Sequence, residues 1–425
     1  MILYQGTIWE DHNQKELLSR LREDCYNTLE KDSRLLSEDV INACDQLAKQ
    51  VKSGIYDGMI RPLLEEFDIP YDYFILQLPM FEKASLMKKI TTEMGEIGFS
   101  STDLNETNEL AFYPLGILFH IAAGNVDVLP AYSVIEGLLA GNINILKLPS
   151  GDRGLSVKLL SELIRIEPKL KPYIYVFDVP STETETLKLF ANIADAIVVW
   201  GGDAAIKAAR SMASVNTKII EWGHKLSFAY ATLDCTDEDL AALAHHMAMT
   251  DQVLCSSAQG IFVDTDSREA LDAFADRFFH IFLNANKQHK PIPYGMKCKN
   301  ALQLYYEQLQ LDETDKKLWK KDGISVVTSP DSDLELSMMF RSVWVKMLPK
   351  AQLIHRLKPH KSHLQTVGLL TTNRQFEDLK YRLIQAGVTR ITKSKDMSRI
   401  IVGESHDGMY PLRLYSRVVE SYKSV

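Results

Sequence analysis

The chain has 425 residues, 46% of them hydrophobic, and a formal net charge of −8, which is long enough for two or three domains with sizeable cores. The charge is spread without long single-sign blocks, so no nucleic-acid footprint and no basic membrane patch is expected. Met1–Gly6 lacks a basic stretch followed by an apolar core, and no apolar run reaches membrane-spanning length; secretion and a membrane span are not expected. Five widely spaced cysteines (Cys25, Cys44, Cys235, Cys255 and Cys298) without a Cys-x-x-Cys pair read as reduced thiols in a cytoplasmic protein.

The first hundred residues read as helices. Ser37 is a plausible N-cap, and Val40, Ile41, Cys44, Leu47 and Val51 recur at helical spacing up to Gly54, with a second pattern over Ser85 to Met94. From Leu115 the pattern changes to short apolar runs alternating with helices, as in a parallel sheet with crossover connections. Leu115 to Ala122 is a strand, Pro130 to Leu139 a helix closed by Gly141, and Ile143 to Leu148 the next strand. Further strands fall at Tyr173 to Phe177, Ala196 to Trp200 and Lys218 to Glu221. The result is a doubly wound dinucleotide-binding core without a Gly-x-Gly-x-x-Gly fingerprint.

After Thr236 a helix holding His245 and His246 leads to the turn around Cys255, and Gln259 to Val263 opens a second α/β region. There Asp266 to Asn284 is a long amphipathic helix. Ile324 to Thr328, Val343 to Met347 and Val367 to Thr371 are strands, and Phe376 to Gln385 is a helix. The expected division is 1–235 (N-terminal helices and cofactor-binding domain), 236–400 (catalytic domain) and 401–425 (a C-terminal return segment).

Cys255 sits in Gln252-Val253-Leu254-Cys255-Ser256-Ser257, at an element end among small polar residues, where a thiol becomes a nucleophile if a base is at hand. The competing reading is a buried small hydrophobe. Glu221 ends the apolar run Ile219-Ile220 just before Gly223. Partial burial there raises a carboxyl pKa toward general-base duty, and the alternative is a solvated strand-end carboxylate. Neither His245-His246 nor His406-Asp407-Gly408 comes with further ligands at suitable spacing, so no metal site is read.

These segments resemble the aldehyde dehydrogenase superfamily, and within it the acyl-CoA reductases of the LuxC type. Glu221-Trp222-Gly223-His224-Lys225 is similar to the family's Glu-Leu-Gly-Gly-Lys turn, and Gln252-Val253-Leu254-Cys255 to its Gly-Gln-x-Cys segment. Gly124-Asn125-Val126, Ala140-Gly141-Asn142 through Leu148-Pro149-Ser150, and Trp200-Gly201-Gly202-Asp203 follow in the same order. The resemblance implies an aldehyde dehydrogenase-like α/β fold, a doubly wound dinucleotide-binding domain plus a second α/β catalytic domain. It implies Cys255 as nucleophile, Glu221 as base and Asn125 as oxyanion donor, with Lys147, Ser150, Arg153, Gly201, Gly202 and Gly223 on the cofactor. Two departures stand out. His224 replaces a glycine, where it restricts the nicotinamide, assists proton transfer or simply lies at the surface. Met338-Met339-Phe340-Arg341-Ser342-Val343 replaces the Glu-x-Phe-Gly-Pro segment that holds the nicotinamide ribose.

The stretch after Lys147 lacks the glutamate that repels a 2′-phosphate, and Arg153 is near. That favours NADPH, unless Arg153 is only a solvated helix-start residue. The implied reaction is reduction of a long-chain acyl-CoA or acyl-protein thioester to the fatty aldehyde, with a possible acyl-protein synthetase subunit as partner and a homo-oligomeric assembly. An NAD(P)-dependent dehydrogenase oxidising an aldehyde, and a non-catalytic subunit of a multienzyme complex, are the alternatives. The second is opposed by Cys255, Glu221, Asn125 and Lys147 occurring together.

Overall fold

A computed structural model describes residues 1–425 apart from 32–33, 67–70, 96–97, 100, 123–127, 150, 153, 310–314, 400 and 424–425. Asn125, Ser150 and Arg153 therefore lie outside the described residues. The chain forms two compact units, Met1–Gly223 with Ile401–Val425, and His224–Ile400.

The strands of the first unit are β1 (Ile2–Tyr4), β2 (Thr7–Trp9), β3 (Thr102–Asp103), β4 (Asn108–Pro114), β5 (Ile117–Ile121), β6 (Ile143–Lys147), β7 (Ile174–Phe177), β8 (Ala196–Trp200) and β9 (Lys218–Trp222). Seven of them make one sheet in the order β2-β1-β7-β6-β5-β8-β9, and β5 to β9 run parallel. Every residue of β6, β7 and β8 is buried, which is why these strands read as unbroken apolar runs rather than alternating ones. The chain winds from β5 through β6 to β7 on one side and then returns to lay β8 and β9 on the other. The order thus reverses between β5 and β8, the switch point at which doubly wound sheets bind ligands beyond their carboxyl ends. The β5–β6 crossover is the helix Leu129–Leu139, with proline in its first turn and Gly141 at φ +83° closing it, as glycine's freedom allows.

The N-terminus departs from the helical expectation. Residues 2–9 form a hairpin, and Leu3 pairs antiparallel with Val176 at the sheet edge. The turn Gln5-Gly6 has φ of +46° and +76°, the sign that matches strand twist in a two-residue connection. Three buried residues, Ile2 to Tyr4, are too few to show a period, so the sequence pattern missed them. Ser37 is the first residue of the helix Ser37–Lys52, whose N-cap is Leu36 without a side-chain capping bond.

A buried ionic cluster also escaped the sequence reading. Lys89 Nζ lies 2.6 Å from Glu93 Oε1 and 2.8 Å from Glu136 Oε1, with all three side chains largely buried. The Leu412 N–H donates to Glu93 Oε2 at 2.7 Å, so the cluster ties the C-terminal segment to the helices Lys83–Met94 and Leu129–Leu139.

The second unit contains β10 (Leu226–Ala231), β11 (Ala258–Val263), β12 (Lys317–Lys321), β13 (Ile324–Ser329), β14 (Ser342–Met347), β15 (Leu364–Leu370) and β16 (Arg390–Thr392). Their order is β12-β13-β14-β11-β10-β15-β16, parallel except for the β12–β13 hairpin. The compact units divide between Gly223 and His224, ahead of the expected border at 235/236, because β10 pairs between β11 and β15. The helix Asp237–Thr250 begins where Thr236 Oγ1 accepts from the Asp239 N–H at 3.1 Å, with three acids in its first turn facing the positive end of the helix dipole. In the helix Arg268–Asn286, Leu271, Phe274, Ala275, Phe278 and Phe282 are buried at helical spacing, each contributing about 1.5–3 kcal/mol for the larger side chains. The last strand, β17 (Ser416–Tyr422), returns to the first unit and pairs antiparallel with β4, from Ser416↔Pro114 to Tyr422↔Asn108.

Candidate active site

Cys255 is carried on a turn between the helix Asp237–Thr250 and β11. The helix ends because Asp251 and Gln252 take left-handed backbone, φ +45° and +61°, which a residue bearing a Cβ rarely adopts. The Val253 N–H then bonds to Thr250 O at 3.1 Å and the Ser257 N–H to Leu254 O at 2.9 Å, folding Leu254–Ser257 into a tight turn with Cys255 exposed upon it. Two strand starts anchor this turn. Ser227 Oγ in β10 donates to Cys255 O at 2.6 Å and accepts from the Thr366 N–H at 3.1 Å. Gln365 Nε2 at the start of β15 lies 3.6 Å from Cys255 Sγ as a donor. The thiol therefore stands at the amino edge of the second sheet, with an amide donor beside it.

The other cysteines differ. Cys25, Cys44 and Cys235 are buried. Burial pushes the Cys25 thiol up to about 12 and that of Cys235 to about 11, and raises Cys44 too. Cys298 is exposed on the helix Tyr294–Leu309. Packing thus accounts for three cysteines and leaves Cys255 as the one presented on a turn. Ser227 and Gln365 were not found from sequence. The one signal for Ser227 is a hydroxyl within the fully buried run Leu226–Ala231, where an apolar residue is the rule.

In the first unit, Glu221 belongs to β9 and is partly buried. Arg210, from the preceding helix Asp203–Met212, grips both of its oxygens, with Nη2 to Oε2 at 2.8 Å and Nε to Oε1. Trp222, next to Glu221, is buried and stacks on Trp200 at 5.2 Å, with the His406 ring edge-on to both. Gly223 follows, and a Cβ there would meet Ile206 Cδ1 at 3.2 Å. His224, in the second unit, is exposed; its carbonyl accepts from His363 Nδ1 at 3.0 Å.

Lys147 ends β6. Its side chain is almost wholly buried, and Nζ donates to Ser181 Oγ at 3.3 Å. Burial holds its pKa below the ordinary lysine value, against the pull of Asp178. Gly201 and Gly202 follow β8 and open the helix Asp203–Met212. A Cβ on Gly201 would lie 3.0 Å from Ala205 Cβ, whereas Gly202 has no atom within 4 Å of that position. Lys147, Gly201, Gly202, Glu221 and Gly223 all stand at or just past the carboxyl ends of parallel strands of one sheet, and bare backbone at a helix N-terminus suits a phosphate. That set fits a dinucleotide.

His245 Nδ1 lies 3.0 Å from His289 Nε2, and His246 is buried. Among the described residues no group of three or more His, Cys, Asp or Glu side chains converges as a metal site would, and no helix is long and apolar enough to cross a membrane.

The family model described as acyl-CoA reductase (LuxC) matches residues 34–418. The long-chain acyl-protein thioester reductase of Aliivibrio fischeri is 28% identical over 320 residues, covering 72% of this chain and 64% of that protein. Long-chain acyl-protein thioester reductase 2 of Photobacterium leiognathi is 27% identical over 312 residues, 71% of this chain and 63% of the relative. The match thus spans just under two thirds of these relatives' length. Among solved structures, the putative aldehyde dehydrogenase PutA of Anabaena variabilis superposes with TM-score 0.68 at 13% identity, over 98% of this chain and 94% of that one. The glyceraldehyde-3-phosphate dehydrogenase GapN of Methanocaldococcus jannaschii, complexed with NADP, gives 0.67 at 14% identity over 99% and 96%. The fold is that of the aldehyde dehydrogenases. With the family model running through the thiol turn, five of the seven strands of the first sheet and all seven of the second, the chain belongs to the acyl-CoA reductase (LuxC) family.

Proposed function

We propose that this chain reduces a long-chain acyl thioester, carried by CoA or by a protein, to the fatty aldehyde at the expense of NADPH. The observation that carries the reading is Cys255, exposed on a turn fixed by Ser227 and flanked by the Gln365 amide, in a chain of the acyl-CoA reductase family. The first unit is the cofactor-binding part and the second bears the nucleophile. Cys255 thiolate attacks the thioester carbonyl, the carbon–sulfur bond to the donor breaks, and the donor leaves as a thiol after taking a proton. The resemblance gives the oxyanion of this step to the Asn125 amide and the Cys255 N–H. Lys147, Gly201 and Gly202 are the described residues that would hold the cofactor. NADPH, when bound, supplies a hydride to the acyl carbon. Collapse of the thiohemiacetal on Cys255 then releases aldehyde and regenerates the thiol, with Glu221 handling the proton. The balance is one thioester, one NADPH and one proton giving one aldehyde, one thiol and one NADP⁺.

Names of relatives such as long-chain acyl-protein thioester reductase support a protein-borne donor, hence an acyl-protein synthetase as partner. Self-association and a cytoplasmic setting complete the reading. Its test is incubation with a panel of radiolabelled acyl-CoAs of increasing chain length, denaturation, and detection of a hydroxylamine-sensitive label on Cys255 that NADPH discharges as aldehyde. Absence of label with every chain length, alongside NAD(P)⁺-dependent oxidation of a fatty aldehyde, would replace this reading with the dehydrogenase.

A further inference from the structure

Arg341 is only 2% exposed, although it carries a permanent charge. A guanidinium so placed must spend its donors inside the protein, and it does. Nε donates to Asp251 Oδ1 at 3.1 Å, Nη1 to Asn286 Oδ1, and Nη2 to Lys290 O at 2.7 Å and Ala248 O at 3.3 Å. One side chain thus fastens the end of the helix Asp237–Thr250, the end of the helix Arg268–Asn286 and the residue from which the thiol turn departs.

Gln252 completes the lattice. It is fully buried, its Oε1 accepts from the Arg341 N–H at 2.9 Å, and its Nε2 is within 3.2–3.3 Å of Ala258 O, Gln259 O, Ser342 O and Ser337 Oγ. The Gln259 amide returns the contact, donating to Gln252 O at 2.9 Å and accepting from Ser337 Oγ at 2.7 Å. The Phe340 N–H bonds to Asp251 O at 2.8 Å, and Asn300 Nδ2 holds Met339 O at 2.9 Å.

The lattice holds strained backbone on both sides. Asp251 and Gln252 on one strand of the contact, and Met339, Phe340 and Arg341 on the other, all have φ between +45° and +67°. Such residues cost about 1–3 kcal/mol each and persist only where surrounding bonds over-determine them. The other non-glycine residues of positive φ among those described, Gln5, Asp315, Asp322 and Asp407, occur singly. The strain is concentrated at the base of the turn that presents Cys255.

We infer that Gln252 and Arg341 are positioning residues for the nucleophile: they lock the left-handed Asp251-Gln252 step and thereby fix Cys255 Sγ beside Gln365. The segment 338–343, which the family resemblance would give to the nicotinamide ribose, is used here to brace the thiol turn. The inference rests on the reading of Cys255 as nucleophile.

The experiment is Gln252→Ala, with Asp251→Asn as a milder second variant that keeps an oxygen facing Arg341. The readout is the rate of Cys255 carboxamidomethylation by iodoacetamide across pH, followed by peptide mass spectrometry, together with kcat and KM for an acyl-CoA. Gln252→Ala is expected to lower kcat by about 100-fold, the scale of a 1 Å misplacement, with KM little changed and the alkylation pH profile displaced. Asp251→Asn moves both in the same direction by less. Unaltered alkylation profiles in the folded variants overturn the inference, whatever the change in melting temperature; if Gln252→Ala does not fold, an unaltered profile for Asp251→Asn does so. Because alkylation needs no acyl donor, it judges the positioning role even if the acyl-transfer reading fails.

Discussion

The two units each bury an ionic cluster, and the clusters end in different places. Lys89 pairs with both Glu93 and Glu136 inside the first unit, and Glu93 closes on the Leu412 backbone, so the cluster fastens the C-terminal segment to the helical layer. Asp251 and Arg341 form the corresponding pair in the second unit, but their lattice leads through Gln252 to an exposed thiol three residues on. Burial raises the Asp251 pKa, with Arg341 opposing it. Desolvation makes both clusters costly to break. The difference is that the first closes on the backbone of the C-terminal segment, whereas the second borders the exposed thiol that we propose as nucleophile, and among the described residues only there does the strained non-glycine backbone gather.

Cys255→Ala is expected to abolish acyl labelling and NADPH consumption while leaving stability within about 0.5 kcal/mol, since an exposed turn position loses no packing. Label persisting on Cys235 or Cys298 removes Cys255 from the reaction. Next is Lys89→Met, which strands two buried carboxylates and should cost about 3–5 kcal/mol in urea denaturation. The alkylation rate of Cys255 in that variant should equal wild type; a slowed rate would show that the two clusters are not independent.

Glu221→Gln comes third. Loss of a general base slows turnover by about 100-fold, and cofactor binding followed by fluorescence should be unaffected. Arg210→Ala is the sharpening control, because it frees the carboxylate from its ion pair. Turnover that is unchanged in Glu221→Gln at every pH makes the residue a bystander.

The smallest effect is on pH dependence of stability. His120 is buried between Ser133 and Asn144 and His246 is buried on the helix leading to the thiol turn; desolvation lowers each to about 4. Both are depressed relative to the unfolded chain, so the stability they contribute is complete above the unfolded value and is lost as pH falls from there toward about 4. At about pH 5.5 the unfolded chain has taken up those protons and the native state has not, which costs about 1 kcal/mol per histidine. Denaturation at about pH 7.5 and 5.5 for wild type and His246→Asn checks this: the variant should lose less stability than wild type, and an equal loss would clear His246.

Local pattern carried much of the fold. The apolar runs at Ile143–Lys147 and Ala196–Trp200, and proline and Gly141 bracketing the helix between β5 and β6, are short-range signals. The hairpin at Ile2–Trp9 was invisible because it is too short for periodicity and is stabilised by pairing with β7, far along the chain. At the candidate site, the small polar surroundings of Cys255 agreed with its exposed place on a turn, and its proposed role came from motif order. Arg210 beside Glu221 was not, since nothing in a helix sequence tells which strand residue its side chain will reach.

The sequence by itself determined that this is a two-part α/β protein with a cysteine set apart from packing, because alternation of apolar runs with helices and the chemistry of residue types are properties of short windows. Only the tertiary structure decided that Ser227 and Gln365 stand at that cysteine, and that Arg341 is buried across the base of its turn. Hydrogen bonds between residues some thirty to over a hundred positions apart depend on strand order and register, and these are set by how whole sheets assemble rather than by any stretch of chain alone.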